Sequence, residues 1–306
     1  MVTILLIFLG AIAVLYGIYR FTFGADAWRE AAPTDVPGAD HQVTYREEML
    51  GNIRRVMDTP FEAVTITSHD GLKLFGRYYH TADGAPLVIL FHGYRSCAYR
   101  DGNGGFRLCR EGGYNVLLVD QRAHGKSEGR TITFGVQERQ DCLAWCRYAV
   151  ERFGQSVKIL LLGVSMGAAT VLMASELDLP IAVRGIAADC GYSSPEAIIR
   201  KEIRKLHLPV SVCYPLVRLS ARMFGGFDPN SATAEQALAK CKVPVLLIHG
   251  EADKYVPCDM SRTNHAACAG EKTLLLVPDA GHGVSFYQDQ AAYADALMGF
   301  CKKVLN

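Results

Sequence analysis

Six short runs of uninterrupted apolar residues constrain this chain most. They are "PLVILFHG" (Pro86 to Gly93), "NVLLVD" (Asn115 to Asp120), "VKILLLG" (Val157 to Gly163), "VRGIAADC" (Val183 to Cys190), "VPVLLIHG" (Val243 to Gly250) and "KTLLLVP" (Lys272 to Pro278). A strand with one wet face alternates apolar and polar residues, whereas an unbroken run suits a strand buried on both faces. Helical stretches such as "VQERQDCLAWCRYAVERFG" (Val136 to Gly154) separate most of the runs. That alternation predicts a mostly parallel sheet with helices on both faces. In such sheets functional groups gather at the carboxyl ends of the strands. Upstream, "AVTITS" (Ala63 to Ser68) and "LKLFGRYYH" (Leu72 to His80), joined by the turn signal His69-Asp70-Gly71, read as an antiparallel hairpin. The hairpin makes the run ending at Cys190 the sixth strand and the run from Val243 the seventh.

Size and charge permit this architecture and exclude others. A chain of 306 residues can build one large α/β domain with a full core. A net charge of +1 argues against a nucleic-acid surface or an acidic tail. Ten cysteines are scattered, several in apolar segments, and no pair has zinc-site spacing backed by a second pair. Cys142 and Cys146, four apart on a helix, read as small residues of a buried stripe. Many reduced cysteines favour a reducing compartment.

The run Met1 to Tyr19 carries no charged side chain and is followed by Arg20. As a helix it covers about 30 Å, the hydrocarbon thickness of a bilayer. Tyr16 and Tyr19 fall where interface aromatics sit. A cleaved signal peptide is the competing reading, with Ala25-Asp26-Ala27 resembling a cleavage site. The length of the run and the absence of Lys or Arg before it favour an uncleaved anchor, residues 1–22. Arg20 and Arg29 after the span place the domain on the cytoplasmic side. Residues 23–60 read as a juxtamembrane connector, irregular over "AAPTDVPGADH" (Ala31 to His41). Its "YREEMLGNIRRVMD" (Tyr45 to Asp58) is an amphipathic helix with Met49, Ile53, Val56 and Met57 on one side, packed on the domain or along the membrane. Residues 61–306 form the main domain.

Chemistry enters with "LLLGVSMGAAT" (Leu160 to Thr170). Ser165 follows an apolar strand and opens a helix, and Gly163, Gly167, Ala168 and Ala169 leave room for a tight turn. A hydroxyl is a weak nucleophile and needs a base within hydrogen-bond reach. Among nine histidines, His92, His124 and His249 stand before glycines at strand ends or turns and read as loop-ordering groups. His282 stands in the glycine-flanked loop "DAGHGV" just past the last strand and is the expected base. The acid that holds its imidazole is Asp253, after the seventh strand, with Asp189 at the end of the sixth as the alternative. The oxyanion donors are expected at the N–H of Met166, after the nucleophile, and of Tyr94, in the loop that Gly93 lets turn. This chemistry needs no metal or organic cofactor.

Five ordered motifs, "FHGYRS" (Phe91 to Ser96), "DQRAHGKSEG" (Asp120 to Gly129), "GVSMG" (Gly163 to Gly167), "HGEADKYVP" (His249 to Pro257) and "GHG" (Gly281 to Gly283), resemble the α/β-hydrolase superfamily. The chain order Ser165, Asp253, His282 agrees with that fold. More narrowly, the chain resembles membrane-anchored bacterial hydrolases of the ABHD and Bem46-like groups. The resemblance implies esterase, thioesterase or lipase-type chemistry with Ser165, Asp253 and His282 as triad and Tyr94 and Met166 as oxyanion donors. Arg122 and His124 of the "DQRAHGKSEG" loop are expected to brace loops around the site. Acyl transfer or peptidase chemistry on the same triad, and a catalytically silent membrane-tethered binding protein, are the alternatives.

About fifty residues between the sixth and seventh strands, 191–240, exceed a minimal core and are expected to form a helical cap. Its segment Glu196 to Phe227 carries Arg200, Lys201, Arg204, Lys205, Arg218 and Arg222 against Glu196 and Glu202, interleaved with apolar residues. Such a cap either binds anionic lipid or merely covers the pocket with a solvated basic face. The partners expected are thus a small-molecule or lipid acyl substrate and the membrane, with no nucleic acid and no specific protein.

Overall fold

The computed structural model describes residues 1–25, 34 and 43–306. Asp26, Ala27, Arg29, His41 and most of the expected break at 31–41 lie outside the described residues.

The strands are β1 (Glu62–Thr67), β2 (Lys73–Tyr79), β3 (Leu87–Phe91), β4 (Asn115–Val119), β5 (Ile159–Val164), β6 (Val183–Asp189), β7 (Val245–Gly250) and β8 (Lys272–Val277). They form one sheet in the order β1-β2-β4-β3-β5-β6-β7-β8. β1 and β2 form the antiparallel hairpin, β2 joins β4 antiparallel, and all later pairings are parallel. The unbroken apolar runs have the expected cause. In β3, Leu87, Ile89 and Phe91 enter the core on one face, and Val88 and Leu90 enter the core on the other. Ile159 and Leu161 against Leu160 and Leu162 repeat this in β5. Successive side chains of a strand point to opposite faces, so a sheet covered on both sides needs every position apolar.

The helices are α1 (Val2–Phe23), α2 (Arg46–Asp58), α3 (Ala98–Asp101), α4 (Asn103–Glu111), α5 (Glu138–Phe153), α6 (Met166–Ala174), α7 (Pro195–Lys205), α8 (Val210–Ser220), α9 (Ala234–Leu238), α10 (Asp259–Ala267), α11 (Ser285–Gln288) and α12 (Gln290–Leu305). A π-helical turn, Ala221–Gly225, follows α8. α7, α8, this turn and α9 all lie between β6 and β7, where the cap was expected.

Two stretches bear on the connector, whose amphipathic helix was expected on the domain or along the membrane. Residues 23–25 and 46–58, assigned above to a connector, are packed into the domain. Phe23 and Ala25 are buried, Gly24 bridges to Thr131, and Ile132 N–H donates to the Phe23 carbonyl at 2.8 Å. The end of the apolar helix is thus core structure. α2 lies against α4 rather than along a membrane, with Met49, Ile53 and Val56 buried. Met57, expected on the same side, is exposed, because it sits about 100° around the helix from Val56.

The cap's charge is also lower in effect than its count. Glu196 pairs with Arg200 at 2.5 Å and Glu202 with Lys201 at 2.6 Å. Asp228, one residue beyond the counted segment, takes both Arg218, at 2.8 Å, and Arg222. Ion pairs therefore engage four of the six basic side chains.

Candidate active site

The site is assembled by three loops at the carboxyl ends of β3, β5 and β7, with a fourth after β8. Ser165 occupies the turn between β5 and α6 at φ 57° and ψ −116°. A non-glycine residue there costs about 1–3 kcal/mol, so the surroundings must enforce it. They do so by close approach. A Cβ on Gly163 would collide with the Gly167 carbonyl, and one on Gly167 with the Phe91 carbonyl. Ser165 N–H donates to the Asp189 carbonyl at 2.8 Å, fastening the turn to β6.

Ser165, His282 and Asp253 form one hydrogen-bonded chain. The Ser165 hydroxyl donates to His282 Nε2 at 2.9 Å, and His282 Nδ1 donates to Asp253 Oδ2 at 2.7 Å. The carboxylate can only accept, which assigns the tautomer. Asp253 Oδ1 accepts the N–H groups of Tyr255 and Val256, both at 2.8 Å. Burial alone would push the Asp253 carboxyl up, but the His282 and His249 rings beside it hold it well below the usual carboxylate range. Burial likewise opposes a charged His282, and the Asp253 carboxylate outweighs it, so the imidazole is raised above its ordinary value. The ring is therefore a stronger base than a free histidine, and its hydroxyl partner is aimed at it.

Asp189, the alternative acid, is not the partner of His282 Nδ1. It borders the same cavity, its Oδ1 finds no hydrogen-bond partner among the described residues, and burial pushes its carboxyl up to about 6. The thiol of Cys190 comes within 4.8 Å of the Asp253 and His282 ligand atoms, but those two are already committed to each other.

The other expected positions surround Ser165. Met166 is the first residue of α6, so its N–H has no acceptor within the helix. Gly93 lies against Ser165: a Cβ there would sit 3.2 Å from Ser165 Cβ. Tyr94 follows it, and its ring lines the cavity. The arrangement can deliver a hydroxyl to an electrophilic carbon, carry its proton on His282, and present amides to the oxygen that becomes negative.

Several contributors were not legible in the sequence. Asp101 of α3 accepts Gly93 N–H at 2.7 Å and so orients the loop carrying Tyr94. His249 places Nε2 3.3 Å from Asp253 Oδ2. Met49 of α2, assigned no chemistry above, lines the cavity around Ser165. Arg122 and His124 do hold loops. Arg122 pairs with Asp141 at 2.6 Å and Asp70 at 2.9 Å, while His124 Nε2 accepts Arg95 N–H at 3.1 Å.

Known proteins share this frame. The model of the alpha/beta hydrolase family matches residues 88–296. The uncharacterized protein YqkD of Bacillus subtilis is 24% identical over 244 residues, covering 78% of each chain. Human Protein ABHD12B is 26% identical over 196 residues, covering 59% of this chain and 49% of its own. Among solved structures, an esterase of Pyrococcus furiosus superposes with a TM-score of 0.67 at 22% identity, covering 82% of this chain and 94% of that one. With the family model spanning the sheet from β3 onward, the elbow and the His282 loop, the chain belongs to the alpha/beta hydrolase family.

Proposed function

We propose that the protein is a serine hydrolase that cleaves a carboxylic ester or thioester through an acyl-enzyme on Ser165. The unbroken chain from the Ser165 hydroxyl through His282 to Asp253 carries this reading. Ser165 Oγ attacks the acyl carbon while His282 Nε2 takes the hydroxyl proton. The C–O or C–S bond breaks, and the leaving alcohol or thiol departs with that proton. Water then attacks the acyl-enzyme, gives a proton to His282, and the acid is released as Ser165 recovers its hydrogen. The amides of Met166 and Tyr94 stabilise the oxyanion in both steps.

We also propose that α1 remains on the mature protein as a single membrane anchor, with the catalytic domain on the cytoplasmic side. Among the described residues it is the helix long and apolar enough to cross a bilayer. Its final turns bury Tyr19 and Phe23 in the domain, so removal would strip side chains from the core. The substrate is an acyl compound, small or lipid.

A fluorophosphonate probe tests the reaction, since it transfers its phosphonyl group to an activated serine with loss of fluoride. Wild type should label, and Ser165→Ala should lose all labelling while keeping its melting temperature. Equal labelling of both would remove Ser165 as the nucleophile.

A further inference from the structure

The cavity around Ser165 is small, about 170 Å³. Sites that enclose an organic ligand run from about 300 to 1,000 Å³. A second cavity of about 530 Å³ lies beside it, between α1 and the cap. Gly17, Ile18 and Phe21 of α1 form one wall, and Ile198, Ile203 and Leu216 of the cap form the other. Tyr94 and Tyr255 line both cavities. The Tyr255 ring stands 4.9 Å from the His282 ring, and Tyr94 follows the glycine that touches Ser165. The two cavities thus meet at Tyr94 and Tyr255, side chains that stand next to the Ser165 and His282 groups.

Three of the larger cavity's polar side chains have partners in the protein. Arg95 donates to the carbonyls of Phe21 and Gly24 at 2.5 and 3.2 Å, and the Tyr94 hydroxyl donates to the Thr22 carbonyl at 2.7 Å. Glu202 pairs with Lys201. These bonds tie the loop after β3 to the end of α1 and leave an apolar lining. The far end opens outward, because Leu206, Leu208 and Leu216 line the cavity yet are 57%, 47% and 38% exposed. Leu216 belongs to an exposed stripe with Val212, Leu219 and Met223, spaced four, three and four residues apart. That spacing puts them on one side of the helix. The stripe runs along α8 and the π-helical turn after it; both pack against α1, the turn through Phe224 on Tyr16 and Tyr19. α1 is apolar and long enough to enter a bilayer, the stripe lies on elements packed against it, and Leu216 joins the stripe to the exposed end of the cavity.

We propose that α1 is a substrate-binding element as well as an anchor. With the cap it encloses a channel that takes the acyl chain of a long-chain ester lipid from the bilayer and brings its carbonyl to Ser165. This rests on the serine-hydrolase reading and names its substrate class. The occupant is an alkyl chain because most of the lining side chains are aliphatic or aromatic, and burial of each methylene is favourable. The bilayer is its source because the mouth lies between the two surfaces suited to lipid.

The test uses the full-length protein in phosphatidylcholine nanodiscs and the rates at which ethyl and hexadecyl fluorophosphonates modify Ser165. Wild type should react faster with the hexadecyl probe. Gly17→Phe projects a ring into the cavity from α1, where an added Cβ meets nothing within 4 Å, and Leu216→Trp fills it from the cap. Each should lower the hexadecyl-to-ethyl ratio about tenfold, the loss expected from excluding about two methylenes. Gly10→Phe, on the exposed half of α1, should keep the wild-type ratio. If one cavity variant fails to fold, the other still decides. An unchanged ratio in the folded variants, or no preference for the longer probe in wild type, overturns the channel while leaving the hydrolase reading intact. No modification of Ser165 by either probe overturns both.

Discussion

At the residue scale, the chemistry depends on one carboxylate doing two things. Asp253 fixes the His282 tautomer through a 2.7 Å hydrogen bond, and its charge raises the imidazole against the opposing effect of burial. The proposed mechanism needs neutral His282, so kcat/KM should rise with pH through the titration of that ring. In Asp253→Asn its charge is gone and burial is opposed only by the smaller pull of Asp101 and Asp189, so the midpoint should move to lower pH. The rate on a short-chain ester should also fall by about four orders of magnitude, as an unoriented imidazole holds the wrong tautomer. A pH–rate profile of both proteins checks this, and a midpoint that stays put or rises would refute the role of Asp253. Ser165 was readable because a strained turn demands small neighbours, and those leave a pattern in adjacent positions. Asp101 was not readable: a carboxylate that holds Gly93 N–H eight residues away needs no local pattern.

At the element scale, α1 illustrates how one pattern can serve two environments. Its apolar run reads as a membrane span, yet its last turns meet protein. Phe23 is fully buried and meets Phe134 and Phe227 edge-on at centroid distances of 5.7 and 5.2 Å. Phe23→Ala should cost about 3–5 kcal/mol of stability. The melting temperature of the detergent-solubilised protein should fall by about 10 °C. Phe8→Ala, at a position 61% exposed, should leave it within about 1 °C. Equal effects would mean that the helix end is not part of the core. Sequence could not separate these halves, because lipid and protein interior both ask only for apolar side chains. The cap shows the same limit with charge. Its formal excess of base was legible, but the pairing of Arg218 and Arg222 with Asp228 depends on where the π-helical turn brings the chain.

For the whole molecule, the sheet places the site and α1 lines the cavity beside it. If the helix is integral to the domain, the protein isolated from membranes should have the intact mass that includes residues 1–25. A mass beginning after Ala27 would show cleavage, and with it the loss of one wall of the larger cavity. Protease added to inverted membrane vesicles should digest the domain, and protease added to intact spheroplasts should spare it. The reverse pattern would place the domain on the other side.

By itself, the sequence determined what local patterns can encode. Strands buried on both faces forced unbroken apolar runs, and their alternation with helices implied the parallel sheet. The tight turn at Ser165 forced small flanking residues. The order of Ser165, Asp253 and His282 followed from loops that this topology brings to one edge. Tertiary structure alone decided which acid His282 meets, what steadies the Gly93 loop, and how much of the cap's charge is neutralised. It alone decided that the last turn of α1 and the buried face of α2 pack into the domain. Those outcomes depend on contacts between residues far apart in the chain, where an apolar or charged side chain records its preference for a kind of neighbour but not which neighbour it will have.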